Sequence, residues 1–263
     1  MKNKDLSAVL VAAGLFFAAA GLKAQAPAGD ENYKTMLEDA MRSGKYTMNQ
    51  VENWDARVKR VSGSVSVKAA DSVDWSPLEG EVPLEAADSI KTGADGAAEL
   101  YFEDKAAILI GRGTQVELAA VAKTDTALVV KSGFLAGKIG RLLNEKFKVQ
   151  VRLPSAVCAM RGAEFALHYF QLGKETGAAS FSDDKITVTP MDGKGQNLGE
   201  YPLEKSNELT FTPDQRRLKV VPLAKMMRYT GQVATMRQRL LSLKKTWKPM
   251  NQTRRKVLRD RVF

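Results

Sequence analysis

The chain has 263 residues, and its 40 Lys and Arg against 30 Asp and Glu give a net charge of +10 at pH 7. This length is enough for one or two domains with a buried core. A single cysteine, Cys158, excludes an intramolecular disulfide, and with a single histidine, His168, the chain has too few ligands for a His/Cys metal site. We expect neither a metal nor a cofactor.

The first predicted element is a secretory signal peptide over residues 1–24. Lys2 and Lys4 precede an uncharged, apolar run from residue 6 to residue 22, and small residues follow it. Cleavage is expected after Ala24 or as late as Ala28. Because a run of about 17 residues is at the short limit for crossing a bilayer, an uncleaved inner-membrane anchor is the alternative. Both outcomes predict export, and a cleaved chain is expected in the periplasm or as a secreted or outer-envelope protein.

The next segment, residues 25–58, is predicted to be a helical linker. Asp30 is a candidate N-cap, and apolar residues follow it near helical spacing at Tyr33, Met36, Leu37 and Met41. After residue 58 the pattern changes to short runs in which apolar and polar residues alternate. The helical linker is therefore expected to end there.

Residues 59–215 are predicted to form a mainly β domain. Short alternating runs, such as those over residues 98–102, 106–110 and 165–169, are bounded by Gly, Asp, Asn, Ser or Pro. Many short strands without a long helix between them predict an antiparallel β roll or sandwich, or an irregular β-solenoid. In this domain we expect Trp75 in the core, Cys158 as a small buried side chain, and His168 as an ordinary strand residue.

Residues 216–263 are predicted to form a basic helical tail. From Pro222 onward the chain carries 12 of its 40 Lys and Arg and one of its 30 acidic residues, so the net charge belongs to the tail. Apolar residues recur there at alternating spacings of 3 and 4, which is a heptad seam ending before Lys248-Pro249. The seam residues are Met226, Tyr229, Val233, Met236, Leu240, Leu243 and Trp247.

Three roles for this tail are open from the sequence. The seam at 226–247 docks on the β domain, or it mediates a homo-oligomeric coiled coil. Alternatively, the cations bind an anionic envelope surface. The candidate contacts for that surface are Arg237, Arg239, Lys244, Lys245, Arg254, Arg255 and Lys256. Because the chain is predicted to be exported, we expect no nucleic-acid partner.

A series of motifs runs through the β region in a fixed order. It begins with Val61-Ser-Gly63-Ser-Val65 and Trp75-Ser-Pro-Leu78, continues with Asp88-Ser-Ile-Lys-Thr-Gly93, and closes with Met160-Arg-Gly-Ala-Glu-Phe165. In order and spacing these motifs resemble the FecR domain, over about residues 59 to 190. The chain departs from the family pattern at Ala87 and in the turn after Phe102, where the family has glycine, and at Met160 and Ala163 in the closing motif.

The resemblance implies a FecR-like β fold and a role in binding other proteins. It implies that Arg161, Gly162, Glu164 and Phe165 either define the fold or contact a partner; Arg161 and Glu164 are expected to pair locally. Family members typically carry a cytoplasmic anti-sigma segment and respond to a TonB-dependent receptor. With five residues before the apolar run, this chain is expected to lack that segment.

We therefore predict a non-catalytic, exported envelope protein that binds or scaffolds an envelope protein. An accessory periplasmic sensor in sigma-factor signalling is the first alternative. The second is a cell-wall-acting enzyme, for which the adjacent acids Glu103-Asp104 and Asp183-Asp184 are the candidates. Both pairs are expected in solvated turns, which disfavours paired catalytic carboxylates.

Overall fold

A computed structural model of the protein describes residues 52–141, 148–215 and 217–263. The predicted signal peptide and most of the predicted helical linker lie outside these residues. At residues 52–58 the linker prediction is wrong. Trp54 is buried, and strand β1 (Ala56–Ser62) already runs through Val58, whose side chain lies in the core. The β region therefore begins before residue 59, because these apolar side chains fill the interior.

The described strands form two sheets that share their central strand. Sheet I runs in the order β4 (Glu81–Pro83), β1, β6 (Ala97–Phe102), β7 (Ala106–Ile110), β9 (Thr126–Ile139), β12 (Ala163–Phe170), β13 (Glu175–Ser180), β16 (Asn207–Phe211), β17 (Val221–Pro222). Sheet II runs in the order β3 (Ser76–Pro77), β2 (Val65–Lys68), β5 (Ser89–Thr92), β8 (Gln115–Val121), β9, β10 (Val149–Leu153), β11 (Ala156–Met160), β14 (Ile186–Pro190), β15 (Tyr201–Leu203).

Strand β9 is long enough to belong to both sheets. Its first half pairs with β8 and β10, and from Gly133 its second half pairs with β7 and β12. The β9–β10 pair is parallel, whereas the other pairs of the described strands are antiparallel. A solenoid would need parallel pairing from coil to coil. The mainly β prediction is thus confirmed, and the pairing fits the antiparallel roll or sandwich.

The two sheets share a single apolar core. Sheet I contributes Val58, Leu100 and Phe165, and sheet II contributes Val67 and Val151, all fully buried. Cys158 lies in this core, as predicted, and burial raises the pKa of its thiol to about 12. Trp75 is only partly buried, so the core prediction for it is wrong. The buried tryptophan is Trp54, whose indole N–H donates to the Thr126 hydroxyl at 2.9 Å.

The outer face of sheet I is covered by the tail. After a 3-10 turn (Met226–Tyr229), helix α1 (Thr230–Thr246) packs on β7, β9 and β12, and it ends just before Lys248-Pro249 as predicted. Small side chains in the sheet leave room for the seam, and they are Ala107, Ala136, Ala166 and Ala179. Five seam residues are buried, and Leu243 and Trp247 pack partly against the same sheet.

This packing corrects the homo-oligomer prediction. The apolar seam over 226–247 was a candidate coiled-coil surface, but its side chains are already buried against sheet I. A seam used inside the chain is not available to a second copy. Helix docking on the β domain, the first of the three sequence interpretations, is the arrangement the structure has.

A second tail helix, α2 (Gln252–Asp260), contacts strand β4 at one edge of sheet I. Asn251 caps it by accepting a hydrogen bond from the Arg254 backbone N–H at 2.8 Å. In the described residues, neither tail helix nor any other combines the length and apolarity that crossing a bilayer requires.

Each edge strand of the two sheets contains a proline. Pro83 and Pro222 lie in the edge strands of sheet I, and Pro77 and Pro202 lie in those of sheet II. Proline has no backbone N–H to donate to a further strand, which is why it is tolerated at an edge.

Candidate functional site

The outer face of sheet II carries a groove of about 640 Å³, in the part of the chain that the structure describes. Its floor consists of outward-facing residues of β10, β11 and β14, including Gln150, Val157 and Thr187. These strands alternate between buried and partly exposed residues, because one face of the sheet meets the core and the other meets solvent.

Four cations and two acids surround the groove. The cations are Arg141, Lys148, Arg161 and Lys185, and the acids are Asp184 and Glu200. Arg141 pairs with Asp184, and Lys185 pairs with Glu204, which is not part of the lining. Lys148, Arg161 and Glu200 are left without an ion pair among the described residues. The remaining balance is positive, so the groove is suited to an acidic segment of a partner.

The structure separates the four residues of the closing motif. Arg161 is exposed at the rim of the groove, and Gly162 turns the chain between β11 and β12 with φ +145°. Glu164 lies on the opposite side of the molecule, on the outer face of sheet I under helix α1, and Phe165 is fully buried in the core. The motif therefore joins an exposed cation to three residues that hold the fold.

Glu164 does not pair with Arg161, contrary to the sequence expectation. Its carboxylate accepts a bidentate hydrogen bond from Arg237 of α1, with one N–O distance of 2.7 Å. It also lies 3.5 Å from the Lys138 ammonium, its cross-strand neighbour on β9. Burial raises the pKa of Glu164, but Arg237 and Lys138 outweigh burial and hold it below its usual range.

Three of the seven tail cations predicted to contact an anionic surface are paired inside the chain. Arg237 pairs with Glu164, Arg239 pairs with Glu99, and Arg255 pairs with Asp55. For these three the sequence interpretation is wrong, because acids of the β region bind them. Lys244, Lys245, Arg254 and Lys256 are exposed, and among the described residues no acid lies within 4 Å of them.

Sequence reasoning missed the acids that bind the tail. Glu208, which is 2% exposed, accepts hydrogen bonds from the backbone N–H groups of Ala224, Lys225 and Met226 at 2.8–3.1 Å. The fully buried Asp88 pairs with Arg259 of α2. One signal was available, since Glu99, Glu164 and Glu208 each interrupt an apolar strand.

The residues with catalytic potential are engaged within the fold. His168 is fully buried on β12, where its ring lies 3.1 Å from Glu175 and 3.5 Å from the Tyr229 hydroxyl. Burial lowers the pKa of His168 to about 4, and the nearby Arg228 acts in the same direction, while Glu175 opposes them. Glu103-Asp104 and Asp183-Asp184 both lie in turns, as predicted.

Comparisons with known proteins add a partial fold likeness. No protein-family model and no curated protein sequence matches the chain. The fold is similar to that in two crystal structures, at 2.50 Å and 1.65 Å resolution, each of a provisionally assigned anti-sigma factor from Parabacteroides distasonis. Identity is 12% in both, with TM-scores of 0.45 and 0.44, and each match covers 52% of this chain and 61% of the other.

Proposed function

We propose that this chain is a FecR-like, non-catalytic protein of the bacterial cell envelope that binds or scaffolds a protein partner through the groove on sheet II. The observation that carries the proposal is the contrast between the two outer faces. Sheet I is covered by the chain's own tail, whereas the face of sheet II with its cationic rim is open to solvent.

The backbone at the departures from the FecR pattern supports the resemblance. Ala87 has φ +65° and Glu103, in the turn after Phe102, has φ +51°. Both values lie in the left-handed region that favours glycine. The resemblance implies a glycine at position 87 and one within the turn after Phe102. At both places this chain has a backbone conformation that glycine adopts readily, although its own side chains are larger.

Close packing at the motif residue Gly93, and at Gly96 three residues later, also supports the resemblance. A Cβ atom at Gly93 would lie 2.1 Å from the Ser64 hydroxyl, and one at Gly96 would lie 2.0 Å from the Ser64 carbonyl oxygen. The Gly93 N–H donates to that carbonyl at 2.9 Å. The first and third motifs of the series therefore touch, and a side chain at either glycine would separate them.

The absence of catalysis in this proposal rests on where the reactive groups lie. His168 and Cys158 are buried, and the pKa shifts keep the imidazole neutral and the thiol protonated at pH 7. A general base or nucleophile must reach its substrate. The exposed groove has neither residue in its lining.

Partner capture tests the proposal. The chain from residue 25 onward, immobilised and exposed to a native envelope extract, is expected to retain a protein with an acidic segment. Arg161→Glu with Lys185→Glu is expected to abolish retention, because it reverses two charges of the rim. Retention that is unchanged in this variant would contradict the assignment of the groove.

A matched variant controls for net charge. Lys194→Glu with Lys205→Glu makes the same change in charge at two exposed residues outside the groove, and it is expected to retain the partner. The identity of the captured partner distinguishes the scaffold role from the alternative role as an accessory sensor. A sigma-factor regulator or an outer-membrane receptor as partner would favour the sensory role. N-terminal sequencing of the native protein tests export, with a first residue at 25 or 29 expected.

A further inference from the structure

The tail's cations fall into two groups once they are placed on the fold. Arg237, Arg239, Arg255 and Arg259 point at the β region and pair with its acids. The second group is exposed, and within the described ranges no acid lies within 4 Å of its side chains; it consists of Lys244, Lys245, Lys248, Arg254, Lys256 and Arg261. The pairing uses the acids of the β region and leaves a net positive surface on the far side of α2.

Three of these unpaired cations, Lys248, Arg254 and Arg261, border two adjoining hollows. The first, about 550 Å³, lies between the end of α1 and the start of α2 and is lined by Lys248, Arg254 and Leu258 together with Trp247. The acid in its lining, Glu81, is paired with Arg57. The second, about 440 Å³, lies along α2 and is lined by Arg254, Val257, Leu258 and Arg261. Arg254 and Leu258 belong to both, so the hollows form one continuous surface.

Apolar side chains lie among the cations on this surface. Val257 is 44% exposed, although valine is a residue that folded proteins usually bury, and Leu258 is partly exposed beside it. The face of helix α2 that points at the β region carries Arg255 and Arg259, which pair with Asp55 and Asp88 respectively. The exposed face therefore combines cations with short apolar side chains, which is the composition of a helix that lies at a membrane interface.

We propose that this surface, comprising Lys248, Arg254, Val257, Leu258 and Arg261, binds an anionic phospholipid membrane. The cations contact lipid phosphates, and Val257 and Leu258 contact the acyl boundary beneath the head groups. This interpretation revises the residues that the sequence indicated, because Arg237, Arg239 and Arg255 hold the fold. It is independent of the groove on sheet II, which lies on a different part of the chain.

Two residues make a clean probe of the surface. Arg254 occupies the third position of α2, and its backbone N–H donates to the side chain of the N-cap residue Asn251. A glutamate there completes a capping box with Asn251, so Arg254→Glu preserves the helix while reversing the charge. Arg261 follows the end of α2 and is exposed, so Arg261→Glu disturbs no packed contact.

Vesicle sedimentation tests the proposal. The chain from residue 25 onward, which contains the compact unit Val51–Phe263, is mixed with vesicles of phosphatidylglycerol and phosphatidylcholine, or of phosphatidylcholine alone. We expect binding to the anionic vesicles that weakens as sodium chloride is raised, because salt screens exposed charges. Arg254→Glu with Arg261→Glu should lower the partition coefficient by about tenfold or more. Val257→Ser should lower it by a smaller factor.

The control variant is again Lys194→Glu with Lys205→Glu, which is expected to bind these vesicles as the unchanged chain does. Equal loss in the control would show that net charge rather than this surface governs binding, and it would overturn the proposal. Unchanged binding of the Arg254→Glu, Arg261→Glu variant would overturn it too. Circular dichroism and thermal unfolding of each variant establish that a loss of binding is not a loss of fold.

Discussion

Sheet I and sheet II share strand β9, but their outer faces differ: that of sheet I is covered by the tail and that of sheet II is exposed to solvent. On sheet I, strands β6, β7, β12 and β13 are buried on both faces, because the core covers one face and helix α1 covers the other. On sheet II, strands β10, β11 and β14 alternate between core and solvent. The chain thus completes one half of its β structure with its own tail and leaves the other half open.

The difference shows how the charge of the chain is organised. From Pro222 onward, 12 Lys and Arg and one Asp give the tail a net charge of +11, against +10 for the whole chain. The outer face of sheet I places Glu99, Glu164 and Glu208 beneath α1 and the turn before it. These acids would be costly to bury without a partner, and the tail supplies that partner. Beside the groove on sheet II, Arg141 and Lys185 are paired with acids, whereas Lys148 and Arg161 have no acid within 4 Å among the described residues.

The largest expected effect is the loss of packing between α1 and sheet I. Met236 is fully buried on the sheet, so Met236→Ala should lower the free energy of unfolding by about 2–5 kcal/mol. Val157, partly exposed on the face of sheet II, is the matched position, and Val157→Ala should cost about 0.5 kcal/mol or less. Urea unfolding measures both. Equal losses would mean that the tail does not stabilise sheet I.

The Glu164–Arg237 ion pair beneath α1 should contribute more to the free energy of unfolding than the exposed Glu204–Lys185 pair beside sheet II. Glu164→Gln leaves Lys138 and Arg237 without a counter-charge and should cost about 2–3 kcal/mol at pH 7. Glu204→Gln removes the exposed pair with Lys185 and should cost under about 1 kcal/mol.

The pH dependence of this pair has a defined sign. Because the folded pKa of Glu164 lies below its usual range, its stabilisation is present above the unfolded value of about 4.3 and is lost as the pH falls through the folded value. The gap in stability between the unchanged chain and Glu164→Gln should therefore narrow in acid. A gap that widens would contradict the pairing.

The buried His168 of sheet I should make the free energy of unfolding depend on pH in mild acid. Its folded pKa of about 4 lies below the unfolded value of about 6.5, so the unfolded chain takes up a proton first as the pH falls. The free energy of unfolding should fall by about 1.5 kcal/mol between pH 6.5 and pH 5. The groups around the ring are Glu175, Arg228, Lys225 and Tyr229.

Urea unfolding at a series of pH values checks this expectation. His168 is the only histidine of the chain, so His168→Gln should remove most of the slope in this window. A slope that persists in the variant would show that another group titrates there.

The smallest expected effect concerns the connection between β4 of sheet I and β5 of sheet II. Ala87→Gly should raise the free energy of unfolding by about 1 kcal/mol or less, because it relieves the left-handed backbone at φ +65°. Ala86→Gly is the control, since Ala86 does not have positive φ and should lose stability instead. A loss in the Ala87→Gly variant would show that the backbone there is not strained.

The two sheets differed in how well their strands could be predicted. The alternating runs over residues 98–102, 106–110 and 165–169 indicated strands correctly, but they did not show that both faces of these sheet I strands are buried. In sheet II, the alternation of Val149 and Val151 with polar residues does match a strand with one face in solvent. The apolar seam of α1 was predicted correctly from the sequence, but the surface on which it packs was not. A heptad seam specifies an apolar partner, and it does not distinguish the sheet of its own chain from a second helix.

The candidate site was less predictable for a physical reason. Glu164 and Arg237 are separated by 73 positions, and Glu99 and Arg239 by 140, so only the folded topology brings them together. Arg161 was singled out from its motif, but only the fold places it at the rim of a groove beside Lys148, which precedes β10, and Lys185, which precedes β14.

The prolines of the four edge strands limit how this protein can associate. Pro77, Pro83, Pro202 and Pro222 each withhold a backbone donor where a neighbouring chain would otherwise add a strand. A partner is therefore expected to be recognised by side chains across a face and not by extension of a sheet. Edge strands without such prolines would favour strand-by-strand aggregation into fibrils at high concentration, and the four edge prolines oppose this aggregation.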